Sequence, residues 1–144
     1  MTLFNTLYSS LAGIMQRYGG LSLRIALAII FIWFGGLKLH GMSPAAPLIT
    51  TAITWFEPEI FIPVLGVWEV MIGAAFLFRR TVPLAVLLIL PHMAGTMLPL
   101  IVAPQLCFDA FPYCPTMEGQ YIMKNLVLIS GAMVIGGNSS KSNS

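Results

Sequence analysis

The stretch FIPVLGVWEVMIGAAFLF, Phe61–Phe78, carries a single charge, Glu69. At 1.5 Å per residue these residues form a helix about 27 Å long, close to the roughly 30 Å of hydrocarbon in a bilayer. Read as a soluble core helix, the segment has one carboxylate with no obvious reason to be there. Read as a membrane span, it places an acid where ionised groups cost about 2.5–3.5 kcal/mol, so Glu69 needs a partner or a function.

Three further stretches have the same character: Leu21–Leu39, Val82–Ala103 and Tyr121–Gly137. Across 144 residues the chain is 58% hydrophobic and 8% charged, with a mean hydropathy of +0.89. Soluble domains average about 25% charged residues, so this chain cannot cover a surface facing water. The prediction is an all-α integral membrane protein, one domain over residues 1–144, with a four-helix transmembrane bundle. A net charge of +2, with no basic run, no Walker loop and no GxGxxG, gives nucleic acid or nucleotide chemistry no support.

Outside the spans, residues 2–18 place Leu3, Phe4, Leu7, Tyr8, Leu11, Ile14, Met15 and Tyr18 at helical spacing, with Asn5, Ser9, Gln16 and Arg17 largely opposite. This pattern predicts an amphipathic helix along the membrane surface, ended by Gly19 and Gly20; the alternative is a water-exposed extension of the first span. Ala46–Phe61, APLITTAITWFEPEIF, is apolar enough for a short helix at the interface, and Pro44, Pro47, Pro58 and Pro63 argue against a fifth crossing. Residues 138–144 read as a polar tail.

Basic residues set the orientation. Arg17, Arg79, Arg80 and Lys141 fall on one side of a four-span chain, which the positive-inside rule makes cytoplasmic. Both termini are then inside a bacterial inner membrane, and the loops 40–60 and 104–120 face outward. The second loop holds the only cysteines, Cys107 and Cys114. Facing an oxidising periplasm, they are expected to form a structural disulfide worth roughly 2.5 kcal/mol on the loop-entropy model. Two cysteines with one nearby His or acid make no recognised metal spacing.

Within the spans the charged and polar candidates are Arg24, Lys38, Glu69, His92 and Lys124. By helical rise, Glu69 and His92 lie at similar depths. Lys124, Lys38 and His92 are all candidate partners for Glu69, with Lys124 preferred. Such a cluster serves either as an ion pair fixing helix packing or as a polar site for a quinone head group, a proton or a small solute. Gly35, Gly36, Gly66 and Gly73 allow close helix approach beside the acid. Pro91 frees a backbone carbonyl one turn before His92.

Taken together, LRIALAIIFIWFGGLKL, GVWEVMIG and YIMKNLVLISGAMVIGG resemble the DoxX-like superfamily of small four-helix membrane proteins, and its YkgB-like branch most of all. Members share an arginine early in span one, a Gly-x-x-Lys near its end, a glutamate before a glycine in span two and a lysine opening the last span. Here those positions are Arg24, Lys38, Glu69 and Lys124. The resemblance implies a membrane subunit serving a quinone-linked redox or oxidative-stress system. The chain has no motif for a flavin, haem or iron–sulfur cluster of its own, so a bound quinone or lipid and a protein partner or homo-oligomer are the expected company. The other expectation is a non-redox structural or assembly subunit; a small-solute transporter is the third, with no inverted repeat to support it.

Overall fold

A computed structural model of the chain describes residues 2–141; Met1 and residues 142–144 lie outside the described residues, as do the side chains of Thr2, Ser140 and Lys141. The expectation for the Lys141 side chain and for residues 142–144 of the polar tail therefore lies outside them, while residues 138–141 continue the last helix. The helices are α1 (Thr2–Leu39), α2 (Ala46–Ala52), α3 (Pro58–Leu77), α4 (Val82–Met97), α5 (Pro99–Val102), α6 (Pro104–Cys107) and α7 (Met117–Lys141). A short antiparallel ribbon, β1 (Phe108–Ala110) with β2 (Cys114–Pro115), sits between α6 and α7. Among the described residues three stretches are long and apolar enough to cross a membrane: Leu3–Leu39, Pro58–Leu77 and Arg79–Val102. The protein is an all-α chain of membrane character, and α7, 25 residues long, packs against α1 and α4 as the fourth long helix.

The expected break at Gly19–Gly20 is absent: α1 continues through both glycines. Each costs only about 1 kcal/mol relative to alanine in a helix interior. A glycine ends a helix where the chain turns into the left-handed region, and that happens at Gly41, with φ of 69°. There Met42 N–H donates to the Leu37 carbonyl at 2.9 Å and Gly41 N–H to that of Lys38 at 3.3 Å, the paired bonds of a Schellman stop. At the end of α3 no glycine serves; the Thr81 hydroxyl instead donates to the Ala75 carbonyl at 2.7 Å.

Close approach of α1 and α3 organises the bundle. A Cβ placed on Gly35 would stand 2.7 Å from the Gly66 carbonyl oxygen, and one on Gly73 would stand 2.8 Å from that of Ala28. These two contacts run in opposite senses along the pair, so α1 and α3 are antiparallel. Gly136 against Val86 and Asn125 against Thr96 place α4 and α7 antiparallel likewise. The core is drawn from all four long helices, with Leu27, Phe31, Ile72, Phe76, Ile89 and Ile135 at its centre. The loops 40–60 and 104–120 therefore gather at one end, called here the hairpin end.

The two adjacent glycines of α1 separate packing from backbone effects. Gly35→Ala should destabilise by about 1–3 kcal/mol through overpacking. Gly36, whose added Cβ meets nothing within 4 Å, should accept alanine with no loss of thermal stability. Thermal unfolding of both variants in one detergent checks the pair; equal effects would sink the contact argument.

Candidate functional site

Lys38 stands in the last turn of α1, Glu69 midway along α3, and His92 just after Pro91 in α4. All three are buried, at 7%, 6% and 4% exposure. Lys38 Nζ donates to both carboxylate oxygens of Glu69, at 2.9 Å to Oε1 and 2.7 Å to Oε2. His92 Nε2 lies 3.0 Å from the same Oε1. Three helices thus meet at one carboxylate.

Helix geometry explains the choice of lysine. Every Cα–Cβ bond tilts toward the N-terminus of its own helix. On α1 that tilt carries Lys38 away from the hairpin end, and on antiparallel α3 it carries Glu69 toward that end. The two side chains converge. Lys124, the partner preferred on sequence grounds, does not join them. It lies two turns into α7, so its tilt leads away from Glu69 toward the hairpin end, and it is exposed with Nζ 5.3 Å from the Tyr121 ring centroid. The residue of α7 that turns inward is its neighbour Asn125, whose Nδ2 donates to Thr96 Oγ1 of α4 at 3.2 Å. Arg24 also lies apart from the cluster: it is half-buried, and its Nε is buried without a hydrogen-bond partner.

Aromatic rings wall the imidazole. Phe31 meets it edge-on, with centroids 6.0 Å apart at 72°, and Trp68 lies tilted at 6.2 Å. Trp68 is held in turn by Nε1–H donating to the Leu88 carbonyl at 3.0 Å. That acceptor is next to the Leu87 carbonyl, which Pro91 leaves without its helical donor. Sequence reasoning singled out neither Trp68 nor Phe31. The signal was available, because Trp68 adjoins Glu69 and Phe31 precedes Lys38 by seven residues, two turns along the same face.

Electrostatically the cluster is neutral when Lys38 and Glu69 are ionised and His92 is not. In that state His92 donates its Nε2–H to Glu69, and Nδ1 is left as a bare acceptor. Nδ1 is buried and has no hydrogen-bond partner. Buried polar atoms are nearly always satisfied, so this nitrogen is the one feature of the cluster that packing alone does not explain. An imidazole held this way can take a proton at Nδ1 and release the one at Nε2 to Glu69. Among the described residues no group of three or more His, Cys, Asp or Glu stands together to hold a metal.

The expected disulfide is not formed; Cys107 and Cys114 are free thiols. The ribbon register explains this. Cys114 pairs with Ala110, whereas Cys107 pairs through its carbonyl with Thr116 N–H at 3.0 Å, so the cysteines are offset. Cys107 is buried beneath α7, where a Cβ on Gly119 would overlap its carbonyl; Cys114 is exposed. Burial, assisted by the Glu118 carboxylate, pushes the Cys107 thiol pKa up.

Two measurements follow from this geometry. Glu69→Gln leaves the Lys38 ammonium buried against a neutral amide, which should cost about 3–5 kcal/mol, and adding Lys38→Met should restore most of it while Lys124→Met restores none. Thermal unfolding of the cycle decides between the lysines. In intact protein near neutral pH, maleimide should modify Cys114 quickly and Cys107 slowly, with Cys107 catching up only as pH rises or the fold opens; equal rates would contradict the buried, protonated thiol. No family model, curated protein or solved structure matches this chain.

Proposed function

We propose that the protein is a four-span bacterial inner-membrane subunit of a quinone-linked redox or oxidative-stress system, with Glu69 and His92 as its proton-exchange site. In this reading α1, α3, α4 and α7 all cross the bilayer, with Arg17, Arg79, Arg80 and Lys141 on the cytoplasmic side. The DoxX-like resemblance, carried by Arg24, Lys38, Glu69 and Lys124, supports the same assignment.

One observation carries the proposal: His92 Nδ1 is buried and unpartnered while Nε2 is committed to Glu69. An ion pair that only fixed packing has no use for the second nitrogen of His92, whose burial costs desolvation with no hydrogen bond to offset it. A quinol hydroxyl is a donor of the right kind for that nitrogen. Reducing a quinone to a quinol takes two electrons and two protons. His92 and Glu69 can handle protons, and the electrons come from a partner subunit bearing a flavin, haem or iron–sulfur centre, for which this chain has no motif. Lys38 holds the Glu69 charge in place, and Phe31 and Trp68 keep the imidazole dry and oriented.

The alternative, a non-redox structural or assembly subunit, rests on the glycine-mediated contact of α1 with α3 and the ion pair beside it. Quinone content separates the two. Protein purified gently in lipid should carry extractable quinone. His92→Phe, which keeps a ring but removes both nitrogens, should lower that content about tenfold or more with the fold intact. A wild-type protein free of quinone, or a His92→Phe protein with undiminished quinone, would leave the structural reading standing.

A further inference from the structure

We infer that the N-terminal half of α1 is a self-association element, which pairs in parallel with the same helix of a second copy of this chain. Its 38 residues make a rod about 57 Å long, nearly twice the hydrocarbon thickness of a bilayer. Its first fully buried side chains are Leu27 and Ala28, and every residue from 3 to 22 is exposed except half-buried Ala12. With Leu21–Leu39 occupying the membrane, residues before about Tyr18 project beyond it into water.

The projecting part has an apolar face that water alone does not stabilise. Phe4, Leu7, Leu11, Ile14 and Tyr18 alternate at three and four residues, the spacing of a coiled-coil seam, and each is more than half exposed. Leu3, Tyr8 and Met15 widen the seam. The remaining positions up to Gly20 are polar or small. At 100° per residue the same line continues up the membrane part of α1 through exposed Ile25 and Ile29 to Gly36, where an added Cβ would meet nothing. The uncovered face is thus continuous along the rod, and it lies away from the face that Phe31, Gly35 and Lys38 turn to the bundle.

Three considerations select a second copy over the membrane surface. A surface helix must bend where it leaves the span, and α1 is unbroken through Gly19 and Gly20. Interfacial helices are rich in Lys and Arg on the polar face, whereas residues 2–20 hold only Arg17. Copies in one membrane share one orientation, so their projecting helices are parallel, and identical seams meet residue for residue about a two-fold axis. Eight apolar side chains more than half exposed offer on the order of 800 Å² per copy, the size of a standard stable interface.

The test is cysteine scanning of the full-length chain in native membranes, with Cys107→Ala and Cys114→Ser removing the endogenous thiols. Cysteines placed at Leu7, Leu11 and Ile14 should give disulfide-linked dimers under mild oxidation, and those at Asn5, Ser9 and Gln16 should not. In the native-cysteine background, Leu11→Asp with Ile14→Asp should lower the dimer fraction of the purified protein roughly a hundredfold, by placing unpaired charge in the seam. Cross-links of equal yield on both faces would show random collision and overturn the proposal. So would links to a protein of another mass. Seam cysteines that form no dimer and are shielded from aqueous maleimide by lipid would assign the helix to the membrane surface instead.

Discussion

An ammonium and a carboxylate in hydrocarbon are tolerable only together, and most of this structure can be read as the arrangement that keeps Lys38 on Glu69. The pair forms across α1 and α3, so those helices must approach closely. Gly35, Gly66 and Gly73 allow that by putting backbone against backbone. The helices must also be antiparallel, because only then do the N-terminal tilts of the two side chains bring them toward one another. An ion pair of this kind adds little net stability over a well-packed apolar pair. Its contribution is specificity: a slip of α1 against α3 by one turn separates the charges and overlaps the glycine contacts as well.

His92 adds a different property to the same carboxylate. It comes from α4, and its position depends on Pro91 and on the tryptophan that precedes Glu69 in the chain. Trp68 Nε1 donates into α4 at Leu88, one turn before the histidine, while its ring lines the imidazole. A single residue of α3 therefore locks α4 in register and shapes the wall of the site. The imidazole has Nε2 against Glu69 and Nδ1 buried with no hydrogen-bond partner. That asymmetry distinguishes a site from a staple, since Lys38 and Glu69 already satisfy each other.

Much of this was legible in the sequence, and what was not has physical reasons. The membrane character, the order of long helices, the short helix before α3 and the burial of Glu69, Lys38 and His92 follow from apolar run lengths and the cost of lone charges. The choice of Lys38 over Lys124 was not evident, because depth along a span is shared by both residues. It is decided by side-chain tilt and helix face, and the clue was local: Gly35 and Lys38 lie three residues apart on the stripe that meets α3. Glycine misled at positions 19 and 20 and was informative at 41, since the residue stops a helix only where the chain has somewhere else to go. The cysteines misled because the eight residues from Cys107 to Cys114 inclusive say nothing about ribbon register, and an offset register is enough to keep the thiols separate.

The faces of α1 connect these arguments. One side carries Phe31, Gly35 and Lys38 into the bundle, and the far side carries the uncovered apolar line from Phe4 toward Gly36. A partner helix along that line would touch neither Lys38 nor the contact of Gly35 with Gly66, so association and site chemistry draw on separate surfaces. They are still linked through the helix itself. A rod unbroken from Thr2 to Leu39 would carry a tilt of its N-terminal end to Lys38 in its last turn, and Lys38 is paired with Glu69. Had Gly19 and Gly20 broken the helix, the projecting segment would have been free to move without disturbing the site. Because they do not, pairing of the projecting segments would hold α1 at a defined tilt, and the geometry at Glu69 with it.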